Sequence, residues 1–499
     1  MPLRTVNDAK IPLLQIQYSM KSLQLQLVVL FIGAGIFFSS CSDGEPCDGN
    51  CPTGFICEND KCVVDPSYNP CAGVVCGPDE QCVNGKCEEI VFGEVVVSGE
   101  IAENTKWTAD NIYILASKVY LKEGVTLTIE PGTVIKGREG TGSLATALII
   151  PRGAKINATG TAEKPIIFTS TLDNVRPGQK AGNSLSEYDF GKWGGLIVLG
   201  KAPISATNGD TETQIEGIPG DQTYGKYGGS DAADNSGILK YVSIRHGGAL
   251  IGDGNEINGL TLGGVGNSTT IENIEIIGNL DDGLEIFGGT VNVKNLAVGF
   301  VGDDALDVDQ NYAGTVDNFY IIHGSDNTDE GLELDGPEGT TYKDGLFTIK
   351  NGTIIAVDQI LTSGADLKAK CQGTLENIAF KGYKKGKHLG VRAAFTTTSG
   401  CAEKTDAFTY LRDGRLIIKN CQILDDVTPA DVMRVYTDSG ATDATAQKDC
   451  LNAVSASYET IVDNLFSNNG NKVLTNPTVG ADKTVFNAWT YLSTKNKLQ

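Results

Sequence analysis

The sequence predicts an all-β chain, a parallel β-helix preceded by an N-terminal disulfide-rich segment, and three observations predict it. The first is a recurring mark: Asn273, Asn295, Asn318, Asn351, Asn377, Asn420 and Asn464 stand at the same point of similar short units, at gaps of 22, 23, 33, 26, 43 and 44 residues. Periods near 22, lengthened where a loop inserts, belong to a solenoid, in which each unit buries its apolar face only against its neighbours. The second is a companion column, Asp282-Gly283-Leu284-Glu285-Ile286, Asp304-Ala305-Leu306-Asp307-Val308 and Glu330-Gly331-Leu332-Glu333-Leu334. Side chains alternate along a strand, so the leucines turn inward while Glu285, Asp307 and Glu333 stack outward. The third is composition: 61 Gly against three Met and three Trp in 499 residues favours tight turns over a helix-rich core.

Residues 1–40 read as a signal peptide, with Met20 the expected start. Lys21 precedes an apolar run from Leu27 to Phe38 that is too short to span a bilayer. Phe38-Ser39-Ser40-Cys41 resembles a bacterial lipobox, which implies acylation of Cys41 and a mature chain anchored there through a linker, residues 41–46. Asp43 and Glu45 follow, as in the export signal of Bacteroidota surface lipoproteins, so the resemblance implies an outer-membrane lipoprotein of the bacterial cell envelope, exposed at the surface. The whole chain carries 40 basic and 62 acidic residues, net −22, and the mature chain 37 against 61, net −24. Such a charge excludes nucleic acid as an expected partner and favours a cation as any bound ion.

Residues 47–89 contain eight cysteines in two similar sets, Cys47, Cys51, Cys57, Cys62 and Cys71, Cys76, Cys82, Cys87. Hydrophobic residues are few there, so disulfides must replace a core. Zinc is disfavoured because no Cys-x2-Cys pair occurs and the first His is His246. The segment resembles two truncated EGF-like modules, expected to act as a stalk.

From residue 92 to 499 the chain is expected to form the β-helix, with loop insertions and a C-terminal cap and without any long amphipathic helix. Propeller blades would need a period of 40 to 50, and leucine-rich repeats a strict leucine framework with helices. Asn repeated at one turn would stack at about 4.8 Å per coil and satisfy backbone groups with its amide. Trp107-Thr108-Ala109-Asp110, Leu127 to Gly137, Trp193 to Gly200, Ser243-Ile244-Arg245-His246-Gly247-Gly248 and Asp281-Asp282-Gly283 make the region similar to pectin-lyase-like, right-handed β-helices of Bacteroidota secreted and surface lipoproteins. That resemblance implies architecture and location rather than a reaction.

The candidate chemistry is acidic. Asp281, Asp282, Glu285, Asp303, Asp304, Asp307, Asp309, Asp329, Glu330, Glu333 and Asp335 recur over three coils, where stacked like charges repel by about 1 kcal/mol or more unless something neutralises them. Of these, Asp281, Asp282, Glu285, Asp303, Asp304, Asp307, Glu330 and Glu333 are the candidate metal ligands. Calcium suits this set because it accepts six to eight oxygens. An enzymatic alternative uses the same residues. Gly302-Asp303-Asp304 looks like the Gly-Asp-Asp motif of polygalacturonase-type glycosidases, with Asp282 one coil earlier, but that family's remaining motifs are replaced here. A lyase would take Arg245 and His246 as its basic pair. His323 falls in register with His246, where a packed or turn histidine is expected as readily as a functional one. Tyr224, Tyr227 and Tyr312 are expected at the surface, where they would stack on sugar rings. Cys371, Cys401, Cys421 and Cys450, an even set, are expected to form two disulfides. The expected function is non-catalytic binding of extracellular glycan or matrix polymer, the alternative a polysaccharide hydrolase or lyase.

Overall fold

The structure is a computed structural model that describes residues 51–498 apart from 52, 60, 78–79, 252–256, 325–327, 358–361 and 399. The expected signal peptide, Cys41, the expected linker 41–46 and Cys47 lie outside the described residues. The chain divides into two compact units, Met1–Glu88 and Glu89–Gln499.

The first unit is built on two small hairpins. Phe55–Glu58 pairs antiparallel with Lys61–Val64, and Glu80–Val83 pairs with Lys86–Glu89. Asn84 and Gly85 both take positive φ, 50° and 81°, as the tight turn of the second hairpin requires. Disulfides join Cys51 to Cys62, Cys71 to Cys82 and Cys76 to Cys87, and Cys57 is also disulfide-bonded.

In the second unit 26 strands join in one network of parallel pairings. The network resolves into three sheets. Gly237–Arg245 shows this directly, because its first half pairs with Lys155–Thr159 and its second half with Ile166–Ser170. A third series runs from Ala147–Ile150 through Leu196–Leu199, Leu260–Gly263, Leu284–Phe287 and Leu306–Asp309 to Leu332–Leu334. Each coil thus adds one strand segment to each sheet, and the inward residues form a continuous apolar core from Leu127 through Leu262, Ile286 and Val308 to Leu375.

The bend between the first two sheets is where the recurring asparagine sits. Asn273, Asn295, Asn318, Asn351, Asn377 and Asn420 all have φ between 53° and 62°, a left-handed conformation that Asn tolerates far better than a β-branched residue. Asn295 Nδ2 donates to Asn273 Oδ1 at 2.9 Å, Asn318 to Asn295 at 2.8 Å and Asn377 to Asn351 at 3.0 Å, so the amides form the expected ladder. Tyr241 takes the same bend at φ 51° without an asparagine, its ring packed edge-on against Trp489.

Three expectations are corrected. Asn464 is not a coil mark: it lies in a 25-residue helix, Ala444–Asn468, whose existence was not foreseen. Leu451, Val454, Tyr458, Val462 and Phe466 recur at helical spacing and dock on the last strands, covering apolar surface that a solenoid otherwise leaves open. Only one of the two expected C-terminal disulfides forms, Cys401–Cys450, which ties a loop to that helix. Cys371 and Cys421 are free thiols. Both are fully enclosed in the core, where each acts as a small apolar side chain, and burial pushes the Cys421 thiol up to about 12. The last residues also do more than cap: Phe486, Trp489, Tyr491 and Leu492 pack along the outer face of the second sheet against Ile277, Ala297, Tyr320 and Ile322. Among the described residues no helix is long and apolar enough to cross a membrane.

Candidate functional site

The third sheet carries one outward column whose character changes along the coils. Register places Tyr120 beside Ile149, Ile149 beside Ile197, and Ile197 beside Thr261. Beyond Thr261 the column turns acidic, with Glu285, Asp307, Glu333 and Asp366 in successive coils. The apolar part is roofed by Ile204, Ile215, Ile218 and Tyr227 from the long insertion that follows Leu199.

The turns entering these strands supply the remaining carboxylates. Asp282 Oδ1 accepts the backbone N–H of Asp304 at 2.9 Å, and Asp304 Oδ1 accepts that of Glu330 at 2.6 Å, so each aspartate caps the next coil. The eight candidate metal ligands fall into three groups, within each of which the oxygens lie within 4.8 Å of one another. These are Asp281, Asp282 and Asp303; Asp282, Glu285 and Asp307; and Asp304, Glu330 and Glu333. Asp282, Glu285 and Asp304 are only 6, 8 and 4% exposed, which closes them to a polymer. Burial, reinforced by neighbouring carboxylates, holds Asp282, Glu285, Asp304 and Asp307 well above the ordinary carboxylate range and pushes Glu330 up to about 9.

Partners not foreseen from the sequence finish the site. Lys368 forms an ion pair with Glu333, and Tyr436 donates its hydroxyl to Asp366 at 2.6 Å, which relieves one end of the column. At the other end the Asn258 amide donates to Glu285 and, at 3.1 Å, to Glu216. Its carbonyl oxygen and Asp307 Oδ1 are buried without a hydrogen-bond partner. Asp366 was also not foreseen, although Ala365-Asp366-Leu367 repeats the inward-outward alternation that could have marked it. Asn258 and Lys368 carry no such signal.

The basic pair belongs elsewhere. Arg245 is fully buried, donates from Nε to Ser243 at 2.8 Å and pairs with Glu275, while His246 Nδ1 meets the Asp189 carbonyl at 2.7 Å. The carboxylates that face them are Glu275 for Arg245 and Asp173, 4.0 Å from Nε2, for His246. His323 is also enclosed, its Nδ1 3.2 Å from Thr328 Oγ1, and burial pushes its pKa down to about 3. Tyr227 and Tyr312 are not surface aromatics: each is 1% exposed, with its hydroxyl donated to Gln310 and to the Val291 carbonyl. Tyr224 is half-buried, stacked on Tyr120.

Residues 99–464 match the pectate-lyase-like β-helix domain family, a span covering most of the chain and all three acidic coils. The chain belongs to the pectate-lyase-like β-helix family. Comparison with curated proteins and with solved structures gives no match. In this family member the Trp193-Gly194-Gly195 motif is a packing device. Trp193 Nε1 donates to the Arg245 carbonyl at 2.7 Å, and a Cβ on Gly195 would lie 2.1 Å from the Asn258 carbonyl.

Proposed function

We propose that this protein is a lipid-anchored component of a bacterial cell envelope, displayed on the outer membrane, which binds extracellular glycan or matrix polymer without cleaving it. The observation that carries the non-catalytic reading is the burial of Asp282, Glu285 and Asp304 within the acidic coils. Asp282 and Asp304, two of the three aspartates a polygalacturonase-type pair would draw on, are nearly inaccessible and each spends one oxygen on the next coil's N–H, which does not suit them to flank a sugar bond as a glycosidase pair must. Arg245, the base a lyase would need, is locked in a buried ion pair. The anchor rests on the lipobox-like sequence ending at Cys41. The finer affiliation with Bacteroidota surface lipoproteins, and the EGF-like character of residues 47–89, belong to the same proposal.

The acidic coils are proposed to hold calcium as a structural ion. Three clusters of carboxylates supply hard oxygen ligands, and the unpartnered side-chain Oδ1 atoms of Asn258 and Asp307 supply the uncommitted lone pairs that a cation takes up. The competing reading is a polysaccharide-degrading enzyme acting through residues 281–309. Incubating the mature chain, residues 41–499, with a polysaccharide panel and calcium separates the two. New reducing ends or an unsaturated-uronate absorbance, abolished by Asp304→Asn, would replace the binder with the enzyme.

A further inference from the structure

A cleft of about 830 Å³ opens beside the first coils, at the C-terminal ends of strands Asn111–Leu121, Ala147–Ile150 and Leu196–Leu199 and under the hairpin Glu212–Gln214/Lys226–Gly228. Tyr120, from the strand, and Tyr224, from the insertion, line it together, their rings stacked at 4.1 Å and 10°. Two ion pairs line it as well: Arg152 with Glu212 at 2.9 Å and Lys201 with Glu123 at 3.3 Å. Arg152 is held in place by a second bond, to the Gly228 carbonyl at 2.9 Å.

We propose that this cleft is the binding site for a neutral glycan chain, a reading that rests on the glycan-binding function above and places it. A sugar ring offers an apolar C–H face and a rim of hydroxyls, each both donor and acceptor. Aromatic rings receive the face, and ion pairs receive the rim, because guanidinium or ammonium donates while the carboxylate beside it accepts. The two pairs carry no net charge, so the cleft has no local excess of cation to attract a uronate polymer against the −24 of the mature chain. The site is also separate in kind from the acidic coils: none of the eight candidate calcium ligands lines it.

The test is calorimetric titration of the mature chain with a soluble β-glucan, a xylan and a galactomannan, and with polygalacturonate and alginate, in calcium and in chelator. A neutral polymer is expected to bind in both conditions, about tenfold more weakly to Tyr224→Ala and to the double variant Arg152→Ala/Glu212→Ala, with Tyr224→Phe close to the parent. Unchanged melting of these variants would confirm that the loss is local. Undiminished binding by every cleft variant would overturn the site while leaving glycan binding intact. Binding of uronate polymers alone would overturn the ligand class. Binding of no polymer by the parent chain would sink the glycan reading itself.

Discussion

Arg245 and Glu275 approach to 3.5 Å with neither side chain accessible to solvent. Glu275 also accepts Ser243 Oγ at 2.6 Å and the backbone N–H groups of Tyr491 and Leu492 at 2.8 and 3.0 Å, and the Arg245 guanidinium lies 5.2 Å from the Tyr491 ring. One enclosed ion pair therefore fastens the C-terminal segment to a coil more than two hundred residues earlier in the chain.

Removing one partner of that pair leaves a buried charge uncompensated. Glu275→Gln is expected to lower the stability of the β-helix unit by about 3 to 5 kcal/mol, and to expose the C-terminal segment to protease. The double variant Arg245→Met/Glu275→Gln, which removes both charges but keeps an acceptor for the Tyr491 and Leu492 N–H groups, should recover much of the loss. Urea unfolding decides the matter, and a loss below about 1 kcal/mol for Glu275→Gln would show that the pair fastens nothing.

His323 gives a pH dependence of known sign. Its folded pKa, about 3, is depressed by burial from the ordinary 6.5, and its neighbours are the Thr328 hydroxyl and the Tyr383 ring. The unfolded chain takes up a proton near pH 6.5 that the folded chain refuses, so stability present above 6.5 is lost as pH falls toward 3. His323→Gln should remove about one proton from the slope between pH 6 and 4, close to 1.4 kcal/mol per pH unit. Parallel stability curves for the two chains would contradict this.

Chelator should lower the melting temperature of the mature chain, and calcium should restore it in a concentration-dependent way, because a ligand held only by the folded state stabilises by mass action. Asp307→Asn and Asn258→Ala should shrink the calcium increment. Identical melting in excess chelator, with no calcium by elemental analysis, would leave the coils as protonated, hydrogen-bonded carboxyls.

Cys41→Ala is expected to abolish incorporation of a clickable fatty acid and to leave an uncleaved or mis-sorted precursor. Equal labelling of mutant and parent would remove the lipid anchor from the proposal.

Much of the architecture was present in one dimension. The 22-residue spacing of asparagines determined the coil length, since only Gly, Asn or Asp turns cheaply through the left-handed bend. Strand alternation placed Glu285, Asp307 and Glu333 on one outward column, and the clustered cysteines marked a disulfide-rich N-terminal segment. What tertiary structure alone decided is whatever depends on residues distant in sequence. It was the fold that buried Glu285 and the adjoining Asp282 and Asp304, brought Asn258 and Lys368 to the acidic column, and turned Arg245 toward Glu275 and the C-terminal segment. It also left Cys371 and Cys421 unpaired while joining Cys401 to Cys450, and set Tyr224 on Tyr120 across a hundred residues. Periodicity reports which way a side chain points from its own coil. Burial, pKa and partnership depend on what an insertion or a returning tail lays over that face, and a local pattern carries no record of it.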